Sequence, residues 1–272
     1  MLSRFERPIL EKAEEAASKK EIVASVWGYV EKLKFPLQER AKKLREKGFP
    51  VDDDCRIDPR KFLAFIAESE IQKDLHRVTG QEKQWLMENS LKKPAEQAHQ
   101  NIIQKNGELL ETVKTLGMNG SWFGGRFVTV RTSKFDDYFN GVDNLIFDTV
   151  TFQPIAAIDD TTNLLNKKDA IQKVQNGATV KYATEYTHAG AVKRTFKKLP
   201  VLLITSPIEE VAMLAKDLIS GSESEEGEIA LRNIVANLKQ QAEQIAKGII
   251  PIRDPKLKDA YRKTSEILNS IK

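Results

Sequence analysis

The sequence has few of the residues on which several kinds of functional site depend. It contains one cysteine, Cys55, and three histidines, His76, His99 and His188, in 272 residues. A single cysteine excludes an intrachain disulfide, which fits a reducing compartment. Three aspartates directly precede Cys55, and negative neighbours raise the pKa of a thiol, which argues against a reactive thiolate. The histidines are too widely spaced to indicate a zinc site.

Long apolar runs are also missing. No segment approaches the ~20 apolar residues that a membrane-spanning helix needs. The first twenty residues become charged at once and contain no apolar stretch typical of a secretory signal. The Gly-x-Ser-x-Gly pattern of many serine hydrolases is absent. We therefore expect a cytoplasmic protein that does not associate with membranes.

Charge of one sign does not dominate the composition. Charged residues make up 30% of the chain and hydrophobic residues 40%, and the formal net charge is +4. These values are ordinary for a globular protein long enough to bury a sizeable core. Because the net charge is small, an argument for nucleic-acid binding must rest on local clusters of basic residues.

Both ends of the chain are predicted to be helical. Residues 1–48 favour helix, with an interruption at Pro36, and Asp58-Pro59 has the cap and first-turn proline of another helix. A glycine- and glutamate-rich segment, 221–227, predicts a flexible linker before the last two helices. We divide the chain into an N-terminal helical region (1–93), an α/β core (94–220), and a linker with C-terminal helices (221–272).

The core alternates between helical and strand patterns. Strands are predicted at 126–132, 142–150, 154–158, 178–186 and 198–205, with helices at 95–116, 163–176 and from Pro207. Asn140-Gly141 indicates a turn, so the segment before it is predicted to be a loop. The order predicts an α+β fold with a central mixed β-sheet, an αβββαβ core and helical extensions at both ends.

Acidic residues border the second and third of these strands. Asp143 begins one strand and Asp159 ends the next, so a hairpin would make the two carboxylates neighbours. Adjacent carboxylates repel unless a proton or cation lies between them, which predicts a divalent-metal site. Asp137 and the helical Glu111 are candidates for further ligands. The alternatives are that these acids cap strand ends, lie in a solvated loop, or occupy a helix surface.

The pair Asp143 and Asp159, sixteen positions apart within an αβββαβ order, resembles the PD-(D/E)XK nuclease superfamily. The resemblance covers about residues 96–220. The segments FDDYFNGVDNLIFD, AIDDTT and KKLPVLLI are also similar to uncharacterised bacterial proteins with an Asp-Asp…Asn-Gly-Val-Asp…Asp-x-Thr pattern. The superfamily resemblance implies cleavage of nucleic-acid phosphodiesters with Mg²⁺ or Mn²⁺, with Asp143 and Asp159 as the two acids.

The chain departs from the superfamily at the catalytic lysine. Thr161 occupies the position where the resemblance implies that residue. Lysines occur at migrated positions in some members of the superfamily, so Lys167, Lys168 and Lys173 on the next predicted helix are candidates for its role. The alternative is that they are solvated helix residues.

Basic and aromatic residues alternate near the end of the core. The cluster consists of Lys181, Lys193, Arg194, Lys197 and Lys198, interleaved with Tyr182, Tyr186 and Phe196. Such a pattern suits a phosphate backbone with stacked bases, although it is also typical of a solvated face. We expect a metal-dependent nuclease-like protein that acts on nucleic acid. The alternative is a non-catalytic module that binds nucleic acid, or that binds a protein partner or a second copy through its helical arms.

Overall fold

A four-stranded mixed sheet lies at the centre of the computed structural model, which describes residues 6–160, 167–187 and 190–271. The strands lie in the order β1 (Phe127–Arg131), β2 (Asn144–Asp148), β3 (Pro154–Asp160) and β6 (Val201–Ile204). Strand β2 is antiparallel to both of its neighbours, β1 and β3, and β6 runs parallel to β3. A second antiparallel hairpin is formed by β4 (Ala178–Thr187) and β5 (Gly190–Leu199). The predicted mixed sheet and α+β class are confirmed.

Helices surround the sheet. In the described ranges they are α1 (Glu6–Glu46), α2 (Glu68–Ser90), α3 (Pro94–Met118), α4 (Lys134–Asn140), α5 (Lys167–Asn176), α6 (Ile208–Ser220), α7 (Glu225–Ala246) and α8 (Pro255–Asn269). The elements α3-β1-β2-β3-α5-β6 follow the predicted αβββαβ order, with α4 and the β4–β5 hairpin inserted. Within the same ranges, no helix has the length and apolar character needed to cross a membrane.

The two helical ends share one hydrophobic core with the sheet. Helix α1 packs on α3 and α6, α7 packs on α8 and β6, and α8 packs on β3 and β5. The helix α1 continues through Pro36, so the predicted interruption there is wrong. Leu33 and Leu37 are both buried on either side of the proline, and their burial offsets the backbone hydrogen bond that proline removes.

A helix replaces the loop predicted before Asn140-Gly141. The Ser133 hydroxyl accepts a hydrogen bond from the backbone N–H of Asp136 at 3.1 Å, which caps the first turn of α4. Gly141 ends the helix in the left-handed conformation, with φ of +62°. The glycine therefore acts as a helix C-cap, and α4 turns Asp136 and Asp137 toward different parts of the fold.

The predicted linker 221–227 is a short turn. Helix α6 ends at Ser220 and α7 begins at Glu225. The Asp217 carboxylate accepts hydrogen bonds from the backbone N–H and the hydroxyl of Ser224, both at 2.9 Å. Ser224 in turn caps α7, so the two helices are joined by a fixed connection.

Side-chain amides bind the outward-facing backbone of both edge strands. Asn119 accepts from the Thr129 N–H at 3.0 Å and donates to its carbonyl at 2.6 Å on β1. Gln241 accepts from the Leu203 N–H at 2.9 Å and donates to its carbonyl at 2.7 Å on β6. Each amide takes the place that a further strand would occupy.

Candidate metal centre

Three carboxylates from separate elements converge beside the sheet. Glu111 comes from α3, Asp137 from α4, and Asp143 from the residue before β2. One oxygen from each lies within 4.8 Å of the others. Carboxylate oxygens are the ligands that Mg²⁺ and Mn²⁺ prefer. The structure therefore brings together three of the four residues that the sequence proposed as metal ligands.

The fourth predicted ligand, Asp159, has a different partner. Strands β2 and β3 do pair as a hairpin, with Asn144 opposite Ile158, so Asp143 and Asp159 lie at the same end of it. However, the Asp159 carboxylate lies 2.5 Å from the Lys173 ammonium of α5. The structure places it in this pair and outside the convergent group of three.

Asp160, and not Asp159, is the acid of β3 that lies beside Asp143. Its backbone N–H donates to an Asp143 carboxylate oxygen at 2.5 Å, and its own carboxylate is paired with Lys114 of α3. Successive side chains of a strand point to opposite faces, so Asp159 turns toward α5 and Asp160 toward α3. We call Glu111, Asp137, Asp143 and Asp160 the acidic centre.

Lys114 is a buried lysine that sequence reasoning missed. Its side chain is 1% exposed and forms an ion pair with Asp160. It lies three residues after Glu111, so α3 presents both to the same side. The sequence did contain one indication of this lysine. It is the single basic residue of the segment ETVKTLGM, which forms a buried part of α3.

The lysines that the sequence proposed do not reach the acidic centre where the structure describes them. Lys173 binds Asp159 and the Gly141 carbonyl, the latter at 3.3 Å. Thr161 lies outside the described residues, as do the side chains of Lys167 and Lys168 at the start of α5.

An arginine from the N-terminal region also enters the acidic centre. The Arg56 guanidinium lies 3.0 Å from the Asp137 carboxylate and 3.2 Å from that of Glu111. It also donates to the Thr132 carbonyl at 3.0 Å. The sequence shows Arg56 only as one residue of an acidic loop, and no local pattern indicates that it contacts a helix acid 55 positions away.

Burial makes Asp137, Asp143 and Asp160 hold protons more tightly than exposed carboxylates do. Burial raises the pKa of Asp137 to about 6, with Arg56 opposing the shift and Glu111 adding to it. Burial and the nearby Asp160 raise the pKa of Asp143 well above its ordinary value. Burial also raises the pKa of Asp160, and Lys114 opposes that shift. A proton or a cation therefore stabilises this group of acids.

The stability of the metal-free protein should fall as pH rises through the titration of Asp137. Its pKa is about 6 in the folded state and 3.8 ordinarily, so the folded state binds more protons between these values. Stability is then lost from about pH 4 to about pH 6, by ~3 kcal/mol for this group. Asp143 and Asp160 act in the same direction. Urea unfolding in EDTA, measured from pH 4 to 7, checks the loss.

The matched comparison for this pH dependence is Asp137→Asn against the surface substitution Asp53→Asn. Asp53 has a 71% exposed side chain. The Asp137→Asn variant should have a visibly flatter pH dependence than the wild type, while Asp53→Asn should reproduce the wild-type curve. Equal slopes in all three proteins would contradict the assignment.

Three members of the predicted basic cluster are paired with acidic side chains. Lys181 binds Asp74 and Glu70 of α2, each at 2.5 Å, and Arg194 lies 2.9 Å from Glu185. Lys198 pairs with Asp254 at the start of α8. Lys197 is exposed, and the side chain of Lys193 lies outside the described residues. Because three members are bound to separate acids, part of their charge is neutralised within the chain, and a nucleic-acid contact by this cluster stays a prediction.

The chain gave no significant match in comparisons with family models, with curated proteins or with solved structures.

Proposed function

We propose that this protein is a divalent-metal-dependent hydrolase of nucleic-acid phosphodiesters, with its metal bound at the acidic centre. The observation that carries the proposal is the convergence of Glu111, Asp137 and Asp143 next to the buried pair of Asp160 and Lys114. The αβββαβ order, with Asp143 at the start of one strand and an acid at the end of the next, supports the resemblance to the PD-(D/E)XK superfamily.

An unpaired oxygen supports binding of a cation at this place. The Oδ1 atom of Asp160 is buried, and in the described part of the chain it has no hydrogen-bond partner. A buried carboxylate oxygen without a partner is destabilising by ~1–3 kcal/mol or more. A cation held by Asp160 and Asp143 would satisfy it. These carboxylates fit Mg²⁺ or Mn²⁺, which also binds water and phosphate oxygens.

The roles of the side chains follow from their positions. A bound divalent ion would supply a Lewis acid and lower the pKa of its water. Asp143, Asp137, Glu111 and the Oδ1 atom of Asp160 would hold the ion, while the Oδ2 atom of Asp160 orients Lys114. The Lys114 ammonium, fixed on α3, would stabilise negative charge that develops on the phosphate. Lys114 thereby takes the role that the resemblance assigned to the position of Thr161.

Cleavage of mixed DNA and RNA substrates, single- and double-stranded, with Mg²⁺ or Mn²⁺ tests the proposal. Asp143→Asn and Asp160→Asn should each lower the rate by at least ~10³-fold, because each removes a ligand charge or the partner of Lys114. EDTA should abolish the activity. The neighbouring Asp159→Asn is the matched control, and its rate should stay within ~10-fold of wild type, since Asp159 binds Lys173.

Two outcomes would contradict this assignment. Equal losses of cleavage rate in Asp159→Asn and Asp160→Asn would show that Asp160 is wrongly preferred to Asp159 as the functional acid. Absence of cleavage with every substrate, despite Mn²⁺ binding in a calorimetric titration, would remove the hydrolase function.

Exposed apolar side chains favour the second candidate, a non-catalytic module that binds a protein partner. Leu86, Met87 and Leu91, at the end of α2 and in the turn that follows it, are 71%, 61% and 80% exposed. A group of large exposed apolar side chains is typical of an interaction surface. The result that selects this candidate is metal binding without cleavage, together with loss of partner binding in Leu86→Ser and Leu91→Ser.

A further inference from the structure

A cavity of about 350 Å³ lies between α7 and the carboxyl end of β6. Helix α7 lines it with a row of four side-chain amides, those of Asn237, Gln240, Gln241 and Gln244. Residues three, four and seven positions apart lie on one side of a helix, so the amides face the same space. None of the lining residues that the structure describes is charged. The volume is within the ~300–1,000 Å³ that is typical of ligand sites.

One amide of this row shows what kind of group the row can bind. Gln241 accepts a hydrogen bond from the Leu203 backbone N–H at 2.9 Å and donates one to the Leu203 carbonyl at 2.7 Å. It therefore binds a donor and a neighbouring acceptor at once. Within the described part of the chain, no such partner occupies the other three amides, those of Asn237, Gln240 and Gln244. They are free to bind a neutral ligand that presents a donor beside an acceptor.

The other walls of the cavity are mainly apolar. Leu203 and Ile204 of β6 and Ile234 of α7 line it beside the amides. A charged group would lose its hydration there without meeting an opposite charge, which argues against a phosphate or a carboxylate as the bound group. A flat neutral ring with polar edges fits both kinds of wall. A nucleobase has this chemistry, and asparagine and glutamine are the side chains that bind adenine through two hydrogen bonds.

A single strand separates this cavity from the acidic centre. Ile204, which lines the cavity, is the register partner of Asp160 at the ends of the parallel strands β6 and β3. Neighbouring strands lie ~4.8 Å apart. Ligands of sheets with parallel strands bind beyond the carboxyl ends of those strands, which is where both places lie. One or two nucleotides of a bound strand span such a distance, at ~3.4 Å for each nucleotide.

We propose that the cavity between α7 and β6 binds an unpaired nucleobase of the substrate, and that the protein therefore acts on single-stranded nucleic acid. The inference rests on the proposed hydrolase function and names its substrate class. A base enters such a cavity only when it has left the stack, and its edges are then open to amide side chains. Asn237 and Gln244 determine specificity in this proposal, whereas Gln241 remains bound to β6.

Fluorescence anisotropy of short labelled DNA strands with the full chain in EDTA tests the inference without cleavage. The wild type should bind an adenine homopolymer at least ~10-fold more tightly than an abasic strand of equal length, which has the same phosphates. The double variant Asn237→Ala with Gln244→Ala should lose this preference. Asn233→Ala, which removes an exposed amide of α7 outside the cavity, should match the wild type. The salt dependence of binding should be unchanged throughout, because no charge is removed.

The outcomes separate this inference from the proposed function. Equal affinity of the wild type for the adenine and abasic strands, or no binding of either, would overturn the inference, and so would an unchanged preference in the double variant. If that variant does not fold, Asn237→Ala and Gln244→Ala tested singly decide the question, each with part of the loss expected. A base preference that these substitutions remove, without cleavage in Mg²⁺ or Mn²⁺, would support the nucleobase site and overturn the hydrolase function alone.

Discussion

Lys114→Met is expected to lower the free energy of unfolding by ~3–5 kcal/mol at neutral pH without metal. The Lys114 side chain is 1% exposed and its partner Asp160 is 10% exposed, so the substitution leaves a buried carboxylate without its counterion. Methionine fills nearly the same volume, and the loss therefore reports the uncompensated charge. Urea denaturation in EDTA, followed by circular dichroism, gives the difference.

The same helix provides the control for this result. Lys105 and Glu108 form a 2.7 Å ion pair on α3, but their side chains are 28% and 39% exposed. Because water screens such a pair, Lys105→Met should cost less than ~1 kcal/mol. The double variant Lys114→Met with Asp160→Asn should recover part of the loss, since the unpaired charge is gone. Equal effects at Lys105 and Lys114 would contradict the burial argument.

Asp136→Ala is the second substitution with a large expected effect, a loss of ~4 kcal/mol. Asp136 is fully buried and accepts four hydrogen bonds. The donors are the Ser133 hydroxyl at 2.8 Å, the Asn140 amide at 2.7 Å, and the backbone N–H groups of Lys181 and Tyr182 at 2.7 and 3.1 Å. Leaving two buried backbone donors unsatisfied costs ~1–3 kcal/mol each.

The Asp136 carboxylate also joins α4 to β4, so its removal should also affect the metal centre. With Asp136 absent, α4 loses its attachment and Asp137 its fixed position. Asp136→Ala should therefore weaken Mn²⁺ binding although Asp136 does not contact the centre. Asp136→Asn, which keeps one acceptor oxygen, should lose less stability than alanine. Asp53→Ala, at an exposed position, should leave the stability and the Mn²⁺ affinity unchanged. An Asp136→Ala protein as stable as that control would contradict the role of Asp136 in joining α4 to β4.

The central hairpin could be predicted from sequence because its signals are local. Apolar runs define β2 and β3, and the acids at the start of β2 and the end of β3 meet at the open end of the hairpin, which indicates a shared site. The choice between Asp159 and Asp160 could not be made in this way. Both acids follow the same apolar run, and only the tertiary contacts, with Lys114 of α3 at Asp160 and Lys173 of α5 at Asp159, show which one belongs beside Asp143.

The contributions of Lys114 and Arg56 depend on contacts between distant segments. Lys114 meets an acid 46 positions later, and Arg56 meets acids 55 and 81 positions later. No spacing rule links such residues, whereas Glu111 and Asp137 could be proposed because they are acids in or next to predicted elements. The ion pairs of the basic cluster escaped prediction for the same reason, since Lys181, Arg194 and Lys198 each have an acidic partner that the local pattern does not reveal.

The amides of Asn119 and Gln241 have a consequence for refolding at high concentration. They already satisfy the backbone of Thr129 and Leu203, the outward-facing positions at which a strand from another molecule would begin to pair. An incoming strand must first displace a hydrogen-bonded amide on either side, which removes the template that open sheet edges provide for aggregation. Assemblies of this chain, where they form, should therefore leave the edges of the four-stranded sheet unpaired.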